Sequence, residues 1–312
     1  WLASGSASGP TDFAAPVTAT AVQIDPADPG HVAFGPLRYL GGWMLSSRHP
    51  DFGGYSALHV EGSNVLALAD TGQYLAFRME RPGVVDHVDY GALPDFPGRD
   101  GSKNDRDSES MAVDRVSGQI WVGFEGYNAV FRYAPFFARP LAQSRPAAMK
   151  DWPGGSGPES LARLSDGRFA ILAEGTQHRD GPHAALLFPG DPTDPANRPI
   201  RFGYRPPHGY VPTDAAELPD GRLLILNRHF SVTDGFWAAL TTIDLSAVRP
   251  DAIIKGEMLA EFRPPLAIDN MEGLSVTGGN GRAILWLISD DNHMPFQRTL
   301  LLKFALPDKL VR

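Results

Sequence analysis

The chain has 312 residues, of which 43% are hydrophobic, so it can bury the core of one large domain or two small ones. Its 28 lysines and arginines face 36 aspartates and glutamates, a formal charge of −8 with no basic run, which argues against nucleic-acid binding. The absence of cysteine excludes disulfides, thiolate zinc sites and cysteine nucleophiles.

The N-terminal segment begins at Trp1 and continues with small polar residues from Ala3 to Gly9. We expect residues 1–15 to be flexible and residues 16–312 to form a single domain. A start of this kind is typical of a mature chain after removal of a signal peptide, which predicts a periplasmic or secreted protein; a cloning remnant is the alternative. No stretch approaches the roughly 18 apolar residues that span a bilayer.

Five segments of the chain repeat one layout. Each has a short strand, a glycine-bearing turn, an apolar strand, a polar loop and a third strand, and residues 203–204 and 258–262 suggest a fourth strand. The period is 50 to 58 residues, counted between Ser56, Glu109, Glu159, Asp214 and Glu272. Four short strands at this period are typical of one blade of a β-propeller.

The repeat therefore predicts an all-β fold, a β-propeller of four-stranded blades. A two-sheet sandwich is the alternative, but it does not predict the repeat. Five blades follow most directly, and six are possible if the N-terminal strands at 18–24 and 37–47 build another. We expect residues 43–46 to pair with the C-terminal strand at 300–304 and close the ring.

Four of the five repeats begin their first strand with an acid, namely Glu109, Glu159, Asp214 and Glu272. Because the first strands of a propeller line its channel, these carboxylates are predicted to converge and repel one another. A ring of oxygen donors suits Ca²⁺ or another hard divalent cation. The open alternative is that each carboxylate accepts backbone N–H groups and ties blades together.

A second polar set follows the second strands and should lie at the same end of the channel. It comprises Asp70, Glu125, Glu174, Asn227-Arg228-His229 and Asp290-Asp291. Glu125, Glu174 and His229 are candidate general bases, and Arg228 is a candidate for neutralising an anionic oxygen. His49, His178 and His293 also lie in loops, where a solvated histidine is the simpler interpretation.

The motifs at these positions resemble those of one family. They are Leu40-Gly41-Gly42-Trp43, Phe52-Gly53-Gly54-Tyr55-Ser56-Ala57-Leu58, Ser108-Glu109-Ser110-Met111-Ala112-Val113-Asp114, Phe124-Glu125-Gly126, Gly157-Pro158-Glu159-Ser160-Leu161, Ala173-Glu174-Gly175 and Asp269-Asn270-Met271-Glu272-Gly273-Leu274. In this order they make the chain similar to the bacterial family called esterase-like activity of phytase over most of residues 35–306. The resemblance implies an exported propeller with ester- or phosphoester-hydrolysing activity.

Three functions fit these observations. The first is a metal-assisted hydrolase of a small-molecule ester or phosphoester, monomeric, with the ion held by the four first-strand acids. The second is a non-catalytic propeller of the cell envelope that binds a ligand or protein, for which Phe230, Phe236, Trp237 and Phe296 would supply an aromatic rim. The third is a lactonase-like propeller.

Overall fold

The computed structural model describes residues 15–95, 107–153, 155–176, 181–279 and 282–310. Residues 1–14 of the segment expected to be flexible, and His178, lie outside this part of the chain. The described residues form 23 strands and a few short 3-10 helices. Three strands precede the repeats: β1 (Thr18–Ala21), β2 (Ala33–Phe34) and β3 (Leu37–Ser46).

The remaining strands follow the predicted repeat. Blade 1 contains β4 (Tyr55–Glu61), β5 (Asn64–Ala69), β6 (Gln73–Arg81) and β7 (Val84–Ala92). Blade 2 contains β8 (Ser108–Val113), β9 (Ile120–Phe124), β10 (Ala129–Tyr133) and β11 (Pro140–Ser144). Blade 3 contains β12 (Pro158–Arg163), β13 (Phe169–Ala173), β14 (His183–Phe188) and β15 (Ile200–Arg205).

Blade 4 is interrupted by one short extra strand. It contains β16 (Val211–Glu217), β17 (Leu223–Ser231), β18 (Gly235–Ile243) and β20 (Glu257–Phe262), while β19 (Ile253–Lys255) lies in the connection before β20. Blade 5 contains β21 (Asn270–Gly279), β22 (Arg282–Asp290), β23 (Thr299–Ala305) and the N-terminal β3.

The five sheets form a five-bladed propeller, as the repeat predicted. The first strands β4, β8, β12, β16 and β21 contact one another in this cyclic order and surround the central channel. The ring closes in blade 5, where β23 pairs antiparallel with β3, Leu300 opposite Met44 and Leu301 opposite Trp43. The predicted closure is confirmed.

The second strands are apolar on both faces because each lies between two neighbouring blades. In β9, Ile120, Val122 and Phe124 pack toward blade 1, whereas Trp121 packs toward blade 3, its ring 4.9 Å from that of Phe169. Alternate residues of a strand face opposite sides of its sheet, so one apolar run supplies two cores. Five such clusters of buried residues fill the spaces between adjacent blades.

The short strand β19 gives blade 3 a fifth strand that the repeat did not predict. It leaves the β18–β20 connection of blade 4 and pairs parallel with β15, the outer strand of blade 3. Ile254 lies opposite Tyr204, and Lys255 lies opposite Arg205. The chain therefore links blades 3 and 4 by backbone hydrogen bonds at the outside of the ring.

None of the helices in the described part of the chain is long and apolar enough to cross a membrane.

Candidate functional site at the channel mouth

Each of the five inner strands carries a β-bulge at the same point. The residue left without a cross-strand partner is Ser56, Glu109, Glu159, Thr213 or Glu272, in blade order. A bulge adds one residue and turns its side chain away from the regular alternation. The five bulges thus hold these side chains at equivalent positions around the channel mouth.

In blade 4 the bulged residue is Thr213, not the neighbouring Asp214 that the internal repeat predicted there. Asp214 is regularly paired, opposite Leu226. Its carboxylate accepts the N–H groups of Ala215, at 2.8 Å, and of Leu274 in blade 5, at 2.7 Å. Burial raises the pKa of Asp214 well above its usual value, and these two donors act in the opposite direction. Asp214 therefore ties two blades together, the alternative that the sequence had left open.

Several carboxylate side chains lie close together where blades 1, 2 and 3 meet the channel. One carboxylate oxygen from each of Asp107, Glu109 and Glu125 lies within 4.8 Å of the other two. The carboxyl of Glu125 is also within hydrogen-bonding reach of Glu159. We call Asp107, Glu109, Glu125 and Glu159 the channel acids. The last three were predicted from the sequence, whereas Asp107, which lies two residues before Glu109, was not.

Local backbone features hold Glu125 in this group. Glu125 begins the 3-10 turn that follows β9, and its N–H donates to the carbonyl of Asp107 at 2.9 Å. The turn ends at Asn128 in the left-handed region, with φ of 48°. Gly157 of the next blade packs so closely that a Cβ there would lie 2.7 Å from the Cα of Glu125. A glycine at 157 is therefore required for blade 3 to approach this turn.

The channel acids disfavour one another's ionised forms. Burial raises the pKa of Glu109 well above its usual value, and the charges of Glu125, Asp70 and Asp107 raise it further. Burial likewise raises the pKa of Glu159, and among its charged neighbours Glu109 raises this pKa the most. The pKa of Glu125 is also raised, first by burial and then by Asp107. A bound cation would relieve this repulsion.

Arg228 of blade 4 joins the residue that follows the second strand of blade 3 to the first strand of blade 5. Its Nη2 donates to Glu174 of blade 3, and its Nη1 donates to Glu272 of blade 5 at 2.7 Å and to the Asn270 side chain at 3.0 Å. Burial would lower the pKa of Arg228, but Glu272 and Glu174 raise it above its usual value. The pKa of Glu272 is raised to about 8, because burial outweighs the attraction of Arg228. Glu272, predicted as a metal ligand, is thus paired with an arginine.

The loop after β22 lies at the junction of blades 5 and 1. Asp291 accepts the N–H of Gly54 at 3.0 Å and the hydroxyl of Thr299 at 2.8 Å, which fastens blade 5 to blade 1. A Cβ on Gly54 would lie 2.9 Å from Nε2 of His293. The pKa of Asp290 is raised to about 6, mainly by burial. His293 and Asp290 therefore lie at the rim, where the sequence placed them.

His229, a predicted general base, has neighbours other than the channel acids. Its Nδ1 lies 2.6 Å from the carbonyl oxygen of Gly209, and its ring lies 4.8 Å from that of Trp237 and 5.5 Å from that of Tyr210. These contacts place His229 between blade 4 and the loop that enters it.

A cavity of about 1010 Å³ opens beside the channel mouth, between blades 3 and 4. Glu174 lines its inner end, and His183, Arg205, Tyr210 and Lys255 are among its other lining residues. Burial lowers the pKa of His183, whose Nδ1 lies 3.2 Å from the carbonyl oxygen of Ala173. Glu174 belongs both to this cavity and, through Arg228, to the channel mouth.

A ring of five blades, most of them four-stranded, is the architecture of a β-propeller. In this chain acidic side chains lie at the mouth of the channel. The family model described as Phytase-like, esterase-like activity of phytase, matches residues 50–293, and the chain belongs to this family. A comparison with curated proteins found no match.

Several solved structures are similar to the chain at low sequence identity. A protein of unknown function from Dyadobacter fermentans matches with a TM-score of 0.51 and 9% identity, over 88% of this chain and 84% of that one. Glutaminyl cyclase from Myxococcus xanthus matches with a TM-score of 0.48 and 10% identity, over 86% and 96%. Hydrazine synthase from Kuenenia stuttgartiensis matches with a TM-score of 0.40 and 12% identity, over 79% of this chain and 59% of its own length. These similarities concern the fold alone.

Proposed function

We propose that the protein is a metal-assisted hydrolase of an ester or phosphoester that acts at the channel mouth. The observation that supports this proposal best is the convergence of Asp107, Glu109 and Glu125 within 4.8 Å. The cavity that begins at Glu174 offers room for an organic substrate next to them. Membership of the phytase-like family points to the same class of reaction.

The donor set fits a calcium-like ion. Every candidate ligand is a carboxylate oxygen, the donor that Ca²⁺ prefers. The pKa values of Glu109 and Glu125 are raised first by burial and then by neighbouring carboxylates, whose repulsion a divalent cation would relieve. Asp107, Glu109 and Glu125 would hold the ion, with Glu159 beside them. A bound divalent ion supplies Lewis acidity and lowers the pKa of a coordinated water. Asp214 and Glu272 are not among these ligands, because Asp214 accepts backbone N–H groups and Glu272 is paired with Arg228.

The other residues receive roles from their positions. Arg228 presents a fixed positive charge that can neutralise an anionic oxygen of the substrate, held in place by Glu174 and Glu272. Glu174, at the inner end of the cavity, is the candidate base that accepts a proton from the attacking water. Hydrolysis adds this water across the ester: the bond to the leaving alcohol breaks, a hydroxyl takes its place, and the proton passes to the leaving oxygen.

A calcium titration tests the proposal. We expect calorimetry on chelator-treated protein to detect Ca²⁺ binding, and Glu109→Gln to weaken it at least about tenfold, because one anionic ligand is lost. Glu80→Gln, a charge change at an exposed residue of blade 1, is the matched control and should bind as the wild type does. Chelation should abolish hydrolysis of aryl esters or phosphoesters, and Ca²⁺ should restore it. Turnover that is unchanged by chelation would disprove the metal role.

A non-catalytic binding propeller is the second candidate. Phe230 and Val232, at the β17–β18 hairpin of blade 4, are 57% and 94% exposed, and Phe296, in a loop of blade 5, is 77% exposed, which would suit an apolar partner. This function predicts that no ester is hydrolysed under any metal condition. A panel of sugar lactones separates the lactonase-like alternative from the proposed esterase.

A further inference from the structure

The cavity between blades 3 and 4 runs along one edge of blade 3, from the channel mouth to the outside of the ring. Glu174 follows the end of β13, Arg205 ends β15, and Lys255 ends β19, and all three line the cavity. Strands β13, β14, β15 and β19 are successive neighbours in the sheet. Three strand spacings of about 4.8 Å separate β13 from β19, so Lys255 lies roughly 14 Å outward from Glu174.

The inner end of this cavity is acidic, whereas the outer end carries two basic residues and one acid, Glu257, the first residue of β20. The inner end adjoins the channel acids and Arg228, where the ester is cleaved in the proposed function. At the outer end Arg205 and Lys255 are cross-strand partners on parallel strands, so their side chains lie on the same face. An anionic group between them would be attracted by both, within a protein whose net charge is −8. The wall also contains Pro206, Pro207 and Met258, which is 48% exposed.

From this arrangement we infer the class of substrate: an ester whose far end carries an anionic group, carboxylate or phosphate, separated from the scissile bond by an apolar chain of about 10–14 Å. The inference rests on the proposed function. The anionic end binds Arg205 and Lys255, the apolar chain lies against Pro206, Pro207 and Met258, and the ester reaches Glu174. On this interpretation, the pairing of β19 with β15 contributes to substrate binding because it places Lys255 beside Arg205.

The test compares p-nitrophenyl esters whose acyl chains end in a carboxylate, a phosphate or a methyl group. The acyl chains are about ten carbons long, which matches the length of the cavity. We expect the carboxylate- or phosphate-ended ester to show the lower KM, and Lys255→Gln to reduce that preference roughly tenfold, because a charge-assisted hydrogen bond is lost. Lys150→Gln, an exposed lysine outside the cavity, is the control and should keep the preference. Equal KM values for charged and methyl-ended chains, or a preference unchanged by Lys255→Gln, would overturn the inference.

A binding measurement separates this inference from the proposed function. A dicarboxylate of the same length is titrated into wild-type protein and both lysine variants by calorimetry, without any hydrolysis. If no ester is turned over, the proposed hydrolase fails, but binding that is weakened by Lys255→Gln and kept by Lys150→Gln still supports the anion site. No binding, or equal binding by both variants, contradicts it.

Discussion

Arg228 is the one arginine that joins three blades at the channel mouth in the part of the chain that the structure describes. Its side chain is 25% exposed, and those of its partners Glu174 and Glu272 are 24% and 12% exposed. A partly buried ion pair adds little net stability when it forms, because both charges lose water, but removing one partner leaves the other charge uncompensated. Removal of Arg228 should therefore destabilise the fold by more than its ion pairs stabilise it, because Glu174 and Glu272 are left as uncompensated charges.

Replacing Arg228 should destabilise the fold far more than replacing a surface arginine of the same blade. We expect Arg228→Met to lower the free energy of unfolding by about 3 kcal/mol, since Glu174 and Glu272 lose their partner. Arg222→Met, which removes an ion pair with Asp220 at 2.8 Å on a hairpin, should cost about 1 kcal/mol or less. Urea unfolding in the presence of chelator measures both. Equal losses would show that the bridge is only a surface contact.

The repeat identified Glu109, Glu159 and Glu272, because acids one blade apart in sequence become neighbours around an axis. It could not distinguish Thr213 from Asp214, since a bulge shifts the register by one residue without a signature in a Thr-Asp pair. Asp107 was missed for a similar reason: it precedes β8 and belongs to no repeated position. Glu125 and Glu174 were found as residues that follow second strands, and Arg228 was expected to follow one too, although β17 continues past it to Ser231. The partners of all three depend on side-chain geometry.

At the scale of elements, the inner strands of blades 5 and 1 approach closely beside the bulge at Glu272. A Cβ at Gly273 would lie 2.9 Å from the backbone nitrogen of Leu58 and 3.0 Å from the carbonyl carbon of Ala57, both in β4. Backbone atoms cannot move aside as a flexible side chain can. Gly273 thus sets the separation of blades 5 and 1 at their inner strands.

Gly273→Ala should force these strands apart. We expect a loss of about 1–3 kcal/mol in the free energy of unfolding, the usual cost of overpacking. Gly278→Ala lies in the same strand, where a Cβ meets nothing within 4 Å, and should change stability by no more than about 0.5 kcal/mol. Thermal unfolding of the two variants provides the measurement. A Gly273→Ala protein as stable as Gly278→Ala would refute the close approach.

At the scale of the whole molecule, five blades and their closure through residues 43–46 were predictable, because they follow from the period and from apolar strands that need neighbours on both faces. The extra strand β19 was not, since its three residues pair across blades and leave no repeated pattern. The cavity along blade 3 was not foreseen either. It depends on where β19 and the loop before β16 lie, and neither element is part of the repeat.

Three of the channel acids, together with Glu272, should make the stability of the fold decrease as pH rises. Because Glu109, Glu125, Glu159 and Glu272 have raised pKa values in the folded state, about 8 for Glu272, they stabilise the fold below their ordinary pKa and this contribution is lost as pH rises toward 8. We expect metal-free protein to have a Tm lower by roughly 5 °C at pH 8 than at pH 5.5.

Added Ca²⁺ should raise the Tm more at pH 8, where the carboxylates are ionised, than at pH 5.5. The double variant Glu109→Gln/Glu159→Gln, which removes two of these titrations, should flatten the pH dependence of the metal-free protein. Differential scanning calorimetry at both pH values provides these data. A metal-free Tm that rises across this interval would contradict the assignment.

The pairing of β3 with β23 has a consequence for biosynthesis. The ribosome makes β3 before any of the repeats, and the partner of β3 emerges only after all of them. Until then the early strand offers an open edge to other chains, and blade 5 cannot assemble. An unpaired edge of this kind favours association with other chains, so we expect the nascent protein to be most prone to aggregation before its final strand has left the exit tunnel.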